Sequence, residues 1–529
     1  MEAKKLKTSY SLSSGKSTSE RVKETHTEEV VFGICSQLGS PKESVISNLK
    51  RSFEDFGYVV KIIKLSKFIE SFKSDNDNHD QTKYHKDKTP GFNKYIKKIE
   101  TGNELRGKYG NDFLANIAIS EIARDKKRKF GIETEEDVDK VQSQRICYII
   151  DSIKHTSELS TFRDVYQGVF YLLSIYTPYE ERVKKLSIPD ISENEAKELI
   201  SIDQFEDLPN KNGQQVRKVF VDADFFIRVE QNKEEEYFKK KIQRYVNLIF
   251  EYGIETPTIE ERAMYEAKSA SVNSACLSRQ VGASIISKSG ELIATGWNDV
   301  PKYGGDLYTS SDHIDNRCFN SGMCFNDHNK SEIKEYIKNE FKNKINAQDF
   351  GNLAAIQNKI TTLLDETLEE SSIKSLIEFS RSVHAEMHAI INAGKLNGEK
   401  IRGGTLFCTT YPCHNCARHI IASGIEKVFY IEPYIKSKAP ELHNDSITED
   451  ENETGKVKIL LFDGVAPRRY LSFFKMTQER KENGKLLNNI NKDKIFPTNS
   501  IPLKSLFVLE TKAAERVKEK RSEESEERG

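Results

Sequence analysis

The stretch SVHAEMHAII places His384 and His388 four residues apart, with Glu386 between them. Histidines at i and i+4 share a helix face and can hold a metal together, as in the HExxH zinc proteases. In that motif the glutamate follows the first histidine directly, whereas Glu386 is rotated by about another 100° around the axis. That spacing excludes protease chemistry and sends the search for further ligands elsewhere. YPCHNCARHI supplies them, with Cys413 and Cys416 in a C-x-x-C at the start of a predicted helix. Free backbone N–H groups and the helix dipole favour thiolates there. Two sulfurs and the His384 imidazole fill three positions on zinc and leave a fourth for water, whose pKa then falls to about 7. Glu386 is placed to carry a proton between that water and a substrate. With three ligands in hand, His388, His414 and His419 are packed or supporting residues. A structural zinc clip would explain a lone C-x-x-C, but the H-x-E on the preceding helix weighs against it.

The ligands require two helices side by side, and the apolar pattern predicts them. A helix in HAEMHAIINAG is followed by the strand GTLFCTT, the helix PCHNCARHIIASG and the strand KVFYI. Upstream, a helix over 259–275 precedes two strands in RQVGASIISKSGELIATGWN, joined by the turn SKSG. A polar insertion of about 300–378, helical in pattern at 331–345, separates these from His384. Downstream, the acidic loop HNDSITEDENETG leads to the strand KVKILLF. Before residue 230, EEVVFGIC, YVVKIIKL, RICYIIDSI and GVFYLLSIYTP alternate with helical patterns, which predicts an open, mostly parallel α/β sheet. Residues 71–111 read as polar and irregular. The expected division is a disordered 1–28, an α/β domain over 29–250, a second domain over 256–475, and an extension over 476–529 ending in a solvated charged tail.

A length of 529 residues suits two or three domains. The 81 basic and 82 acidic side chains leave a net charge of −1, so no global pull toward nucleic acid or anionic lipid follows. No apolar run approaches the roughly 18 residues that span a bilayer, and the N-terminus has no apolar core of a secretory signal. Eight cysteines are sparse for this length, which points to a reducing cytoplasm with no membrane partner.

H-x-E followed by P-C-x-x-C is the signature of zinc deaminases. With LSRQVGASIIS, ATGWN, VHAEMHAI and TLFCTTYPCHNCARHIIASGIEKVFYI, residues 259–470 resemble the deoxycytidylate branch of the cytidine deaminase superfamily. The resemblance implies a cytidine-deaminase-like α/β/α domain with a mixed sheet of about five strands. It also implies zinc as cofactor, attack at C4 of cytosine, and a homo-oligomer. It makes Asn298 a nucleotide contact, against the alternative of a turn asparagine, and Arg279 a phosphate contact, against an ordinary surface arginine. The order of VVFGICSQLGS, GNELRGKYG, DADFF, LSRQVGA and PYIKSKAPELHNDSI is similar to that of bacterial phage-defence deaminases, which carry a P-loop-kinase-like open α/β domain first. That similarity implies conversion of dCTP, and of dCMP, to the deoxyuridine nucleotide, depriving phage replication of dCTP. A competing reading of another class is a regulatory protein whose first domain senses a nucleotide or RNA, which is also compatible with control of a deaminase through that domain. An editor of single-stranded nucleic acid would need a basic channel with aromatic platforms, of which the balanced charge gives no sign.

Two weaker patterns remain. Gly33, Gly39 and Ser40 in GICSQLGSPKES follow a strand and open a helix, the context of a phosphate or nucleotide cradle. Five residues separate the glycines, and Ser40 and Pro41 stand where a Walker loop has Lys and Ser/Thr. The same residues also read as a capping box, with Ser40 at N-cap, Pro41 at N1 and Glu43 at N3. Asp151 either opposes this loop or is an ordinary strand-end aspartate. In the insertion, Cys318, Cys324, His313 and His328, with Cys276 nearby, are candidates for a second, structural zinc of non-standard spacing.

Overall fold

Apolar runs bounded by turn residues give the first unit, residues 1–256 with 471–529, five strands of a parallel sheet; a two-stranded hairpin, Lys481–Glu482 with Lys485–Leu486, also lies among its described residues. The sheet strands are β1 (Val30–Ser36), β2 (Val59–Lys64), β3 (Ile146–Asp151), β4 (Phe170–Tyr176) and β5 (Phe225–Arg228). These five pair in parallel, in the order β5-β4-β1-β3-β2. β1 and β3 are buried at every position, as strands covered on both faces must be. Helix α1 (Lys42–Glu54) buries Val45, Ile46, Leu49 and Phe53, the face its spacing predicts. The computed structural model describes residues 17–527 except 73–86, 189, 206–209, 231–232, 347–352, 372, 374–375, 435–436 and 488–490.

Two expectations for this unit are corrected, and the C-terminal extension adds a helix ahead of its charged tail. Residues 90–109, expected to be irregular, form a helix that starts at Pro90 and is capped by Thr89, whose hydroxyl accepts from the Phe92 N–H. Interspersed lysines and glycines diluted its apolar face of Phe92, Ile96 and Ile99, and the helix depends on tertiary burial. Of the N-terminal 28 residues, 1–16 lie outside the described residues. Residues 18–23 form a short helix, and the Thr27 N–H donates to the Ile501 carbonyl at 2.9 Å. The C-terminal stretch forms a helix, Leu503–Glu527, that buries Leu506, Phe507 and Glu510 within this unit.

A buried charge cluster fixes that last helix. Lys126, on α2 (Phe113–Phe130), is 1 % exposed; its Nζ lies 2.5 Å from Glu29 Oε2 and 2.7 Å from Glu510 Oε1. One ammonium thus holds the start of β1 and the terminal helix to α2. A second buried pair, Arg106 Nη2 to Glu158 Oε1 at 2.9 Å, ties helix 90–109 to α3 (Thr156–Tyr166).

The second unit, residues 257–470, is built on a mixed sheet. Its strands are β6 (Gly282–Ile286), β7 (Leu292–Trp297), β8 (Thr405–Thr410), β9 (Lys427–Glu432), β10 (Ile447–Thr448) and β11 (Val457–Leu461). They run in the order β10-β11-β9-β8-β6-β7, with β6 antiparallel to β7 and β8 and the other pairs parallel. The sheet thus has six strands among the described residues; the two-residue β10 lies in the loop read as acidic coil. Helix α4 (Ile259–Ser271) opens with a Thr258/Glu261 capping box.

The polar insertion holds two helices, α5 (Phe325–Asn346) and α6 (Leu353–Glu370), where one was expected. Lys334–Glu369 and Lys338–Asp365, both at 2.6 Å, clasp them antiparallel. The insertion is closed at its base, where the Val383 N–H donates to the Asp299 carbonyl at 2.9 Å. Beyond it come α7 (Ala385–Asn397) and α8 (His414–Ala422). Among the described residues no helix is long and apolar enough to cross a membrane.

Removing one member of a buried ion cluster leaves the others uncompensated, at a cost of about 3–5 kcal/mol. Lys126→Ala should therefore lower the unfolding free energy by about that amount in a denaturant titration followed by circular dichroism.

Candidate metal centre

His384 and Cys413 occupy equivalent places, each the residue just before a helix: His384 precedes α7 and Cys413 precedes α8. Cys416 lies in the first turn of α8. Parallel pairing of β8 with β9 and the crossover through α8 bring Cys413 and Cys416 up to the start of α7. His384 Nδ1 is 3.3 Å from Cys413 Sγ and 3.3 Å from Cys416 Sγ. The three donor atoms lie within 4.8 Å of one another, and both cysteines are buried. Among the described residues this is the one group of three metal-ligating side chains drawn so close.

Contact between β7 and α7 sets the height of this centre. At Gly296 an added Cβ would come within 2.3 Å of the Ala389 nitrogen and 2.5 Å of the Ala385 oxygen. Strand and helix backbones therefore touch directly, which only glycine permits. One turn into α7, His388 Nδ1 accepts from the Trp297 N–H at 3.2 Å, while Nε2 meets Asp306 Oδ1 at 3.0 Å. His388 is a support that ties helix, strand and insertion together. His419 Nδ1 lies 2.7 Å from the Asn415 carbonyl, and His414 lies 3.9 Å from Glu378; neither belongs to the trio.

The electrostatics match the donors. Hydrogen bonding from Cys416, with His384 alongside, holds the Cys413 thiol down to about 4. That thiolate and burial push Cys416 well above an ordinary thiol. Burial works against a charged His384, but the Cys413 thiolate prevails and raises the imidazole to about 9. Burial, reinforced by the same thiolate, raises the Glu386 carboxyl to about 7. Two thiols and an imidazole converging in a buried corner, one of them already ionised, fit zinc.

Glu386, 4 % exposed, faces a cavity of about 560 Å³ together with His384 and Cys413. Asn298 and Arg279 line it too. Asn298 Oδ1 accepts from the Val281 N–H at 2.7 Å and Nδ2 donates to the Arg279 carbonyl at 2.8 Å, which leaves one acceptor site and one N–H of the amide for a ligand. It braces the segment that carries Arg279, whose Nη1 lies 3.1 Å from Glu432 Oε1. Tyr411, Tyr434, Lys330 and Arg381 also line the cavity, and no sequence pattern singled them out. Arg381 stands three residues before His384, a proximity that could have flagged it.

Of the second-zinc candidates, Cys276, Cys318 and Cys324 line this same cavity. His313 and His328 are not part of its lining, and His328 lies 3.4 Å from Glu332. Among the described residues these five are not drawn together as His384, Cys413 and Cys416 are. In the first unit, Gly33 packs inside β1 beneath Ile153 and Phe170, and Gly39, at φ +86°, packs on Arg182. The expected capping box is absent: α1 starts at Lys42 with Pro41 as its cap residue, and the buried Ser40 Oγ has no partner. Lys42, one place beyond the residues compared with a Walker loop, reaches Asp151 Oδ1 at 2.6 Å and Ser152 Oγ at 2.7 Å.

Replacing a thiolate ligand removes most of the affinity of such a site. Cys416→Ser should be purified with less than about a tenth of the wild-type zinc per chain by metal analysis.

The profile of the cytidine and deoxycytidylate deaminase zinc-binding region matches residues 257–432. The deoxycytidylate deaminase of Enterobacteria phage T2 is 31% identical over 168 residues, which is 32% of this chain and 77% of that protein. The phage T4 enzyme of the same name is 32% identical over 168 residues, 32% of this chain and 75% of that protein. Among solved structures, the apo dCMP deaminase of cyanophage S-TIM5 aligns at 22% identity and a TM-score of 0.21, covering 39% of this chain and all of that one. The similarity falls on the residues that converge around His384, Glu386, Cys413 and Cys416, and the chain belongs to the cytidine and deoxycytidylate deaminase family, a deaminase with zinc as its cofactor.

Proposed function

We propose that this protein deaminates deoxycytidine nucleotides, dCTP first and dCMP second, with His384, Cys413 and Cys416 as zinc ligands and Glu386 as the proton carrier. The observation that carries this reading is the Glu386 carboxyl, buried beside the His/Cys/Cys trio on the wall of a cavity of nucleotide size. The overall reaction exchanges the cytosine amine for a water oxygen: water adds at C4, ammonia leaves, and uracil remains. Zinc held there supplies an activated water at neutral pH. Glu386 would carry one proton from the attacking water to the ring nitrogen, where it stays in the uracil product, and a second from the new C4 hydroxyl to the amine, which leaves as ammonia. A carboxyl pushed up to about 7 can both accept and return a proton, and a cation at the trio favours its ionised, basic form.

Tyr411, on the cavity wall, is held in place by its hydroxyl, which donates to Glu449 Oε1 at 2.9 Å. Support for the deoxynucleotide substrate comes from the two phage relatives, both named as deoxycytidylate deaminases. The role in the cell that fits is depletion of dCTP during phage infection, supported by the order of motifs along both units. Control through the first unit by a nucleotide or RNA belongs to the same proposal. Its support is the polar grouping of Lys42, Asp151 and Ser152 at the carboxyl ends of β1 and β3, where open α/β sheets bind ligands.

Purified zinc protein incubated with dCTP, dCMP, CTP and a cytosine-containing single strand should yield deaminated product from the deoxynucleotides. Glu386→Ala should lose at least about a hundredfold in rate. Turnover of the oligonucleotide alone would overturn this substrate assignment. In a bacterial host under phage infection, wild-type protein but not Glu386→Ala should lower the dCTP pool; equal pools in both strains would reject the depletion role.

A further inference from the structure

In the first unit, the carboxyl ends of the neighbouring strands β4, β1 and β3 gather a second set of buried polar groups. Open α/β sheets bind ligands at that edge. Leu38 lies two residues past β1, Lys154 three past β3 and Thr177 one past β4. One carboxylate joins the first two. Asp203 is 0% exposed; its Oδ2 accepts from the Leu38 N–H at 2.8 Å, and its Oδ1 pairs with Lys154 Nζ.

Asp203 reaches this edge from outside the sheet. It sits near the end of helix Glu193–Phe205, whose Leu199 and Ile200 share a core cluster with Phe92 and Val183 of two other helices. The next residue touches the loop after β1: with its amide turned, the Gln204 oxygen accepts from Gln37 Nε2 at 3.3 Å and from Arg182 Nη2 at 2.9 Å. Arg182 in turn lies against Gly39, where an added Cβ would come within 2.9 Å of the Arg182 carbonyl oxygen. Its Nε donates to the Thr177 carbonyl at 3.1 Å. Loop, helix and strand ends therefore form one connected cluster.

A main-chain N–H in the loop ahead of a helix and a lysine ammonium are donors that suit phosphate oxygens. Leu38 and Lys154 supply that pair, and a carboxylate holds it. Two hydroxyls of the same cluster, on Ser40 (8% exposed) and Thr177 (2% exposed), are buried without a hydrogen-bond partner. A ligand with more acceptor oxygens than a carboxylate can satisfy them. Exchanging one anion for another leaves neither Lys154 nor the Leu38 N–H bare, and it returns the Asp203 carboxylate to water. Lys154 is within reach of solvent, with 18% of its side chain exposed. We propose that Leu38 and Lys154 form a phosphate-binding site on the first unit, which Asp203 occupies as an internal stand-in until a phosphate-bearing ligand displaces it. This rests on the control proposed above for the first unit and names the chemistry of its ligand.

The test uses the full-length zinc protein and calorimetric titration with magnesium pyrophosphate and with magnesium ATP. Asp203→Asn should bind at least one of them about tenfold more tightly than the wild type, because the competing charge is gone. Adding Lys154→Ala to Asp203→Asn should abolish that gain. Equal or weaker binding by Asp203→Asn would overturn the proposal, as would a gain that survives loss of Lys154. A gain shared by both ligands assigns the site to the phosphates alone, and a larger gain for ATP assigns it to a nucleotide; either upholds it. Hydrogen exchange on the wild type decides the matter even if Asp203→Asn does not fold. Excess pyrophosphate should slow exchange at residues 37–42 and quicken it in helix 193–205; unchanged exchange at both would refute the site. Neither measurement uses turnover, so deamination that ignores the bound ligand removes the control reading and leaves the site standing.

Discussion

Everything in the second unit serves one requirement, that the starts of two helices meet closely enough for three donor atoms to fall within 4.8 Å. Helix starts are suited to this because their free N–H groups stabilise thiolates and can be approached end-on. Meeting them demands that α7 and α8 sit on the same side of a sheet whose strands are in fixed register. The contact at Gly296 sets the α7 side, and β8–β9 pairing sets the α8 side. Other parts of the cavity lining, Lys330 and Arg381 among them, come from the segment between β7 and α7.

The chemical end was legible in the sequence because it is local. H-x-E and P-C-x-x-C each span one turn, and the short strand between them limits how far apart the helices can lie. Exclusion of His388 was equally legible, and its role as a brace follows from contacts with Trp297 and Asp306 that no spacing announces. The rest of the cavity lining was less legible. Lys330 lies 54 residues before His384 in sequence, and only the folding of α5 brings it to the cavity wall. Asn298 was noticed for its place in TGWN, and its amide braces the backbone at Val281 and Arg279, contacts that no spacing announces.

The first unit shows the same division. Four of its parallel strands could be read from apolar runs, and β1 and β3, buried on both faces, most directly; the four-residue β5 was too short to stand out. The helix at 90–109 and the terminal helix could not, because each carries its apolar residues amid charge and gains stability from burial against partners distant in sequence. Ser40, Pro41 and Glu43 obeyed a local capping rule that the structure sets aside: the helix begins later, and Lys42 is drawn to Asp151 instead. Local preferences worth about 1 kcal/mol yield where a charged side chain finds a buried carboxylate.

Closure of the insertion at its base changes what can be altered without harm. The Asp299–Val383 hydrogen bond brings the two ends of that segment together beside β7 and α7. The length between them then enters the free energy only logarithmically, so lengthening or exchanging the segment costs little. The insertion is in effect a cartridge seated in a fixed socket. Changes confined to that segment leave the strand and helix that position the zinc ligands where they are.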